Sequence, residues 1–198
     1  VLDEGSAPVT PSVLSRIDDF VTPVPGDRLG FGHALIRDAA YELLPFRTRR
    51  TLHGRVAAHL QASNSAEVGV LSYHYFAAQQ WPEAWQSART AANGALSAHA
   101  PVEAAELLDR ALEAGRHVDD LPTSTLLTTG LELSRAYERS SRYDAAERTY
   151  RRLGRWATDP LDRARVRVQL AWLAERRSNI ALAVRRARSA AALLDAPG

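Results

Sequence analysis

Seven residues that break or cap helices, Pro45, Asn64, Pro82, Pro101, Pro122, Pro160 and Asn179, divide residues 33–195 into stretches of helical length. A proline inside a helix costs about 3 kcal/mol or more, whereas at the first turn its missing N–H is lost in any case. The breakers therefore predict nine helices, over 33–44, 48–62, 66–79, 83–98, 101–116, 123–140, 143–157, 160–177 and 180–195. Connections this short favour antiparallel neighbours. Ile36, Ala40 and Leu44 recur at every fourth residue, as do Leu52, Val56 and Leu60, which predicts a buried stripe on each of the first two helices. Before them, Phe20–Val24 and Arg28–Phe31 read as extended segments around the turn signal Pro25-Gly26-Asp27. Residues 13–20 suit a short helix with Ser12 as N-cap. Residues 1–11, with Gly5, Ser6, Pro8 and Pro11, read as a linker. The expected divisions are 1–62 for linker, hairpin and junction helices, and 63–198 for helical repeats.

The later helices repeat. Ala104, Ala146 and Ala183 lie 42 and 37 residues apart, each followed four residues on by Leu108, Tyr150 or Ala187. Each is preceded by a helix with its own small residue, Ala92, Ser134 or Ala171. Small side chains let helices approach closely, and the aromatic residues fill the gap to the next pair. The pattern resembles tetratricopeptide repeats, whose period is 34, with a few residues added in the loops. The middle unit fits best, through Leu133, Ser134, Tyr137, Tyr143, Ala146 and Tyr150. The fold class expected is all-α: antiparallel helix pairs stacked as a tetratricopeptide-like right-handed solenoid, with a small N-terminal β-hairpin. An ordinary helical bundle with alanine-rich interfaces is the alternative.

Composition removes several function classes. The chain has no cysteine, so disulfides and thiolate metal sites are excluded. It has no lysine, which excludes a standard phosphate-binding loop, and no G-x-S-x-G run or credible Ser/His/Asp set occurs. His53 and His59 lack the spacing of a zinc pair. No catalysis is expected of this chain, and no metal or cofactor within it. No apolar run approaches the ~18 residues of a membrane span, so a cytoplasmic location is expected. The absence of methionine, with Val1 first, suggests a piece of a longer or processed chain. All 25 basic residues are arginine, and their distribution is uneven. Residues 1–134 carry 10 arginines against 16 acids, a net −6, and residues 135–198 carry 15 against 7, a net +8. The basic part biases the chain toward acidic partners, although solvated arginine explains much of it.

The run Phe31, His33, Ala34, Leu35, Ile36, Arg37, Asp38, Ala39, Ala40, Tyr41, continued by Arg47, Arg49, Arg50, Leu52, His53, Val56, Ala57 and Leu60, resembles a known junction. It is similar to the end of the winged-helix domain in STAND-type signal-transduction ATPases, among them LuxR-type transcriptional regulators and ATPases attached to adenylate/guanylate cyclases. Tetratricopeptide-like repeats follow there too. The resemblance implies a hairpin that is a winged-helix remnant, and a signalling role in bacteria. It also implies ATP or ADP as cofactor of the full-length protein, with His33 as a contact to the ADP phosphate. The alternative for His33 is that it caps its helix or packs on the wing; Arg37 and Asp38 either join the same interface or pair locally.

If the pairs stack, the first helix of each lines a groove. Counted from the small residues, the lining is Gln86, Arg89, Asn93 and Leu96, then Thr128, Leu131, Arg135 and Glu138, then Arg165, Val168, Trp172 and Glu175. Arg89, Arg135 and Arg165 suit an acidic peptide or protein, with Arg89 and Asn93 as a faint carboxylate clamp. Trp172 is favoured as core at a helix junction. The partner is then a protein or peptide, or the chain's own upstream ATPase domain. A stand-alone tetratricopeptide adaptor is the second reading. A third, DNA binding through the wing with Arg47, Arg49 and Arg50, lacks a visible recognition helix.

Overall fold

A computed structural model describes residues 16–25, 28–63 and 67–195. Among them are a two-stranded antiparallel hairpin, β1 (Val21–Val24) and β2 (Arg28–Phe31), paired Val21 to Phe31 and Val24 to Arg28. Helices follow: α1 (Ala34–Leu43), α2 (Phe46–Ser63), α3 (Val68–Ala77), α4 (Trp81–Ser97), α5 (Pro101–Gly115), α6 (Thr123–Arg139), α7 (Tyr143–Trp156), α8 (Pro160–Arg176) and α9 (Ile180–Leu194). All nine expected helices are present, with ends within two residues of the expected ones for all described breaks. Residues 16 and 17 are helical; Ser12, Gly26, Asp27 and Asn64 lie outside the described residues.

The breakers act as their chemistry dictates. Pro101 and Pro160 open α5 and α8, Pro82 is the second residue of α4, and Pro122 caps α6. Asp159 accepts from the N–H groups of Leu161 (2.9 Å) and Asp162 (3.2 Å), and Asn179 from that of Leu182 (3.1 Å), so two helix starts are satisfied by side chains. Four helices end in one motif. After α3, α4, α6 and α8 the chain turns through a left-handed residue, Gln79, His99, Ser141 or Ser178, with φ of 57–60°. In each, the next N–H reaches back five residues, as Arg142 does to the Tyr137 carbonyl at 2.8 Å. The last three of these turns lie 42 and 37 residues apart, the spacing of the small-residue positions.

From α2 onward, the helices pack against their neighbours in chain order. The main core runs from α4 to α8 around Leu108, Leu112, Leu133, Tyr150, Leu153 and Leu173. The small positions sit at the interfaces: Ala92, Ala104, Ser134 and Ala146 have no exposed surface. Gly130 brings α6 so close to α7 that a Cβ there would overlap the Leu153 methyls. A second cluster joins Ala57, Tyr75, Ala84 and Ala114, packed with Phe76, Trp81 and Trp85.

The N-terminal part departs from expectation. α1 has no buried residue, and Ile36, Ala40 and Leu44 are only half-buried. In α2 the buried residues are His53 and Ala57, one position beyond the half-buried Leu52 and Val56. The periodicity marks the apolar face correctly, but the described residues cover it only in part. Phe20, Leu29, Phe31, Leu35, Leu43 and Phe46 are exposed in the same region.

Candidate interaction groove

The groove expected from the repeat pattern is partly assembled. Leu131 and Arg135 of α6 face Arg165 and Val168 of α8 across one cavity of about 410 Å³, which Leu161 and Leu194 complete. The spacing of four residues in α6 and three in α8 keeps each pair on one helix face. A second cavity of about 590 Å³ adjoins it, sharing Val168 and Leu194, and lies between α8 and α9. Trp172, Glu175, Ile180 and Val184 line it. Together they form an apolar channel edged by two arginines and a glutamate.

Trp172 is not core: it is 57% exposed and lines this channel. α9 follows α8 without covering the indole: its Ile180, Ala183 and Val184 line the same cavity as Trp172. Ile180, Val184 and Leu194 join the channel although the repeat offsets did not select them. Their signal was present as the apolar stripe of α9.

Other expected lining residues have different duties. Arg89 is bound by Glu132 of α6, a charge-assisted pair that occupies the guanidinium meant for a ligand carboxylate. Glu138 is turned inward, with 10% of its side chain exposed. It accepts a 2.6 Å hydrogen bond from the Tyr150 hydroxyl of α7 and faces Arg176 Nε of α8 at 3.6 Å. Burial, reinforced by this bond to a carboxylate, holds the Tyr150 phenol far above its ordinary range. Leu96 packs on the core, whereas Gln86 and Asn93 are exposed on α4 outside both cavities. Thr128 is exposed, its hydroxyl donating to the Ser124 carbonyl. Of the three groove arginines, Arg165 pairs loosely with Asp162 at 3.2 Å, and Arg135 alone makes no ion pair among the described residues.

At the other end, His33 is exposed and precedes α1 without a side-chain capping bond. Arg37 pairs with Asp38 at 2.8 Å, both exposed. Arg50 donates to the Ala78 carbonyl at the end of α3, and Arg49 lies over the Tyr41 ring at 5.2 Å. Two of the three arginines considered for DNA are thus engaged within the protein.

A cluster that the sequence did not disclose lies between α1, α2 and α3. The Tyr41 hydroxyl is 2.9 Å from His53 Nε2, and His53 Nδ1 is 2.9 Å from His74 Nδ1. Two nitrogens this close share one proton, so the pair does not carry two charges. Burial, then Arg49, pushes the His53 imidazole down; burial, then His53, does the same to His74. Tyr73 packs edge-on against both rings, and Arg110 of α5 lies over Tyr73. Among the described residues no three His, Cys, Asp or Glu side chains form a metal-holding group, and no helix is long and apolar enough to cross a membrane.

No family model, curated protein or solved structure matches this chain.

Proposed function

We propose that this chain is a non-catalytic interaction module of a larger, ATP-switched bacterial signalling or transcriptional regulator. In this reading the helix pairs stack as a right-handed tetratricopeptide-like solenoid. The apolar channel along α8 receives a segment of a partner protein, or of the regulator's own ATPase domain. The observation that carries the reading is the channel itself, where Leu131, Val168 and Trp172 offer apolar anchors beside the unpaired Arg135. Such a surface suits a peptide with large apolar residues and an acidic residue between them. Arg89 drops out of the recognition set because Glu132 neutralises it.

The link to an ATPase rests on the junction sequence and on the exposed apolar side chains of the hairpin and α1. Leu35 and Leu43 are more than four-fifths exposed, and contiguous apolar surface of this kind marks an interaction site. A domain packed there would meet His33, whose imidazole has no partner among the described residues. Reading the source gene upstream of Val1 tests this. A phosphate-binding loop in the same frame is expected, with His33→Ala in the longer protein releasing ADP faster. A frame without a nucleotide-binding domain would leave the adaptor reading.

A further inference from the structure

α7 carries Arg148, Arg151, Arg152 and Arg155 within eight residues, and they border a cavity of about 470 Å³ away from the channel. Asp109 of α5 and Tyr137 of α6 complete its wall, with Ala145 and Thr149 as floor. Arg148, Arg152 and Arg155 stand at i, i+4 and i+7, on one face of the helix and spread over about 10 Å of its length. Arg151 is held by Glu147 at 2.9 Å. Arg148 and Arg155 make no ion pair or hydrogen bond among the described residues. Arg152 lies over the Trp156 ring at 5.2 Å, and its Nε is buried without a partner.

An independent feature points the same way. Tyr137 is 8% exposed, yet its hydroxyl has no hydrogen-bond partner among the described residues and it lines this cavity. The Arg142 guanidinium covers its ring at 4.8 Å. The buried Arg152 Nε without a partner is costly, and so is a crowd of like charges in a recess. One ligand that accepts hydrogen bonds and carries negative charge satisfies both.

We propose that this cavity binds a phosphoryl group, held by Arg148, Arg152 and Arg155 with the Tyr137 hydroxyl as a further donor. Charge decides between phosphoryl and carboxylate. Asp109 offsets one of the four arginines, and the single charge of Glu147 is shared among Arg151, Arg177 and Arg186, so at least two positive charges remain. A phosphoryl group carries about −1.5 to −2 at neutral pH and matches them, whereas a carboxylate leaves one unmet. Guanidinium forks suit its tetrahedral oxygens. The site is separate from the channel along α8 and stands whether or not that channel binds a peptide.

The test is calorimetric titration of the 198-residue chain with inorganic phosphate, and with acetate, at one ionic strength set by sodium chloride. Saturable phosphate binding at one site, tighter than acetate, is expected. Arg148→Glu with Arg155→Glu, both exposed and unpaired and so compatible with the fold by circular dichroism, weakens it at least tenfold. Tyr137→Phe keeps the ring and weakens binding several-fold, and Asp109→Asn strengthens it. A phosphoserine peptide that binds more tightly than inorganic phosphate places the group on a modified protein; equal affinity makes it a small free phosphate. Phosphate binding no tighter than acetate, or unchanged in the Arg148/Arg155 variant, overturns the proposal.

Discussion

Tyr150 shows how much one side chain fixes here. It is fully buried in α7 and donates to Glu138, which also meets Arg176, so one phenol links three helices. Tyr150→Phe keeps the ring and strands a nearly buried carboxylate. Hydrogen bonds to charged groups contribute about 1.5–3 kcal/mol, so chemical denaturation of the variant should show a loss of about 2 kcal/mol. The histidine pair makes a second residue-scale prediction, in pH. Both imidazoles titrate lower in the folded protein than unfolded. The stability that their neutral forms supply is complete above the unfolded value near pH 6.5 and is lost as pH falls through the lower folded values. Melting temperature should therefore decline below about pH 6.5. His74→Gln should flatten that decline, and a profile identical to wild type would contradict the shared-proton geometry.

The elements were legible where chemistry is local. Proline, aspartate and asparagine mark helix starts by what they donate or accept, so all nine helices could be read from the sequence. The left-handed turns after α6 and α8 were not, because Ser141 and Ser178 occupy positions that glycine prefers. Ser141→Gly should therefore raise stability by about 0.5–1 kcal/mol, measured by thermal or urea unfolding. Gly130 is the opposite case. Alanine is the better helix former by about 1 kcal/mol, but here its methyl meets Leu153, which is itself fully buried. Overpacking costs about 1–3 kcal/mol, so Gly130→Ala should lower the unfolding midpoint. A rise would mean that α6 and α7 can separate without cost.

At the scale of the molecule, what the sequence hid is long-range pairing. Nothing near Arg89 announces that Glu132, 43 residues on, will neutralise it, nor near Glu138 that Tyr150 will draw it inward. Offsets within a repeat place a residue on a face but do not say which neighbour meets it. Leu131, Arg135, Arg165 and Val168 came together as expected because they depend only on helical phase and on α6 lying beside α8. Trp172 was misplaced because its burial depends on a following element, and none among the described residues covers it. The exposed hairpin and α1 have the same origin. Both ends of the described chain thus leave apolar surface open, and the channel at the α8–α9 end is edged by Arg135, Arg165 and Glu175.

The most direct measurement is selection of binders from a random peptide library displayed against the chain, followed by fluorescence polarisation of the enriched peptides. The account predicts enrichment of peptides that combine large apolar residues with aspartate or glutamate. It also predicts that affinity falls at least tenfold in Arg135→Glu and in Val168→Arg, both at exposed positions, while Arg89→Ala changes it little. Peptides that bind equally well to the Arg135 and Val168 variants, or a library that yields no binders, would contradict it.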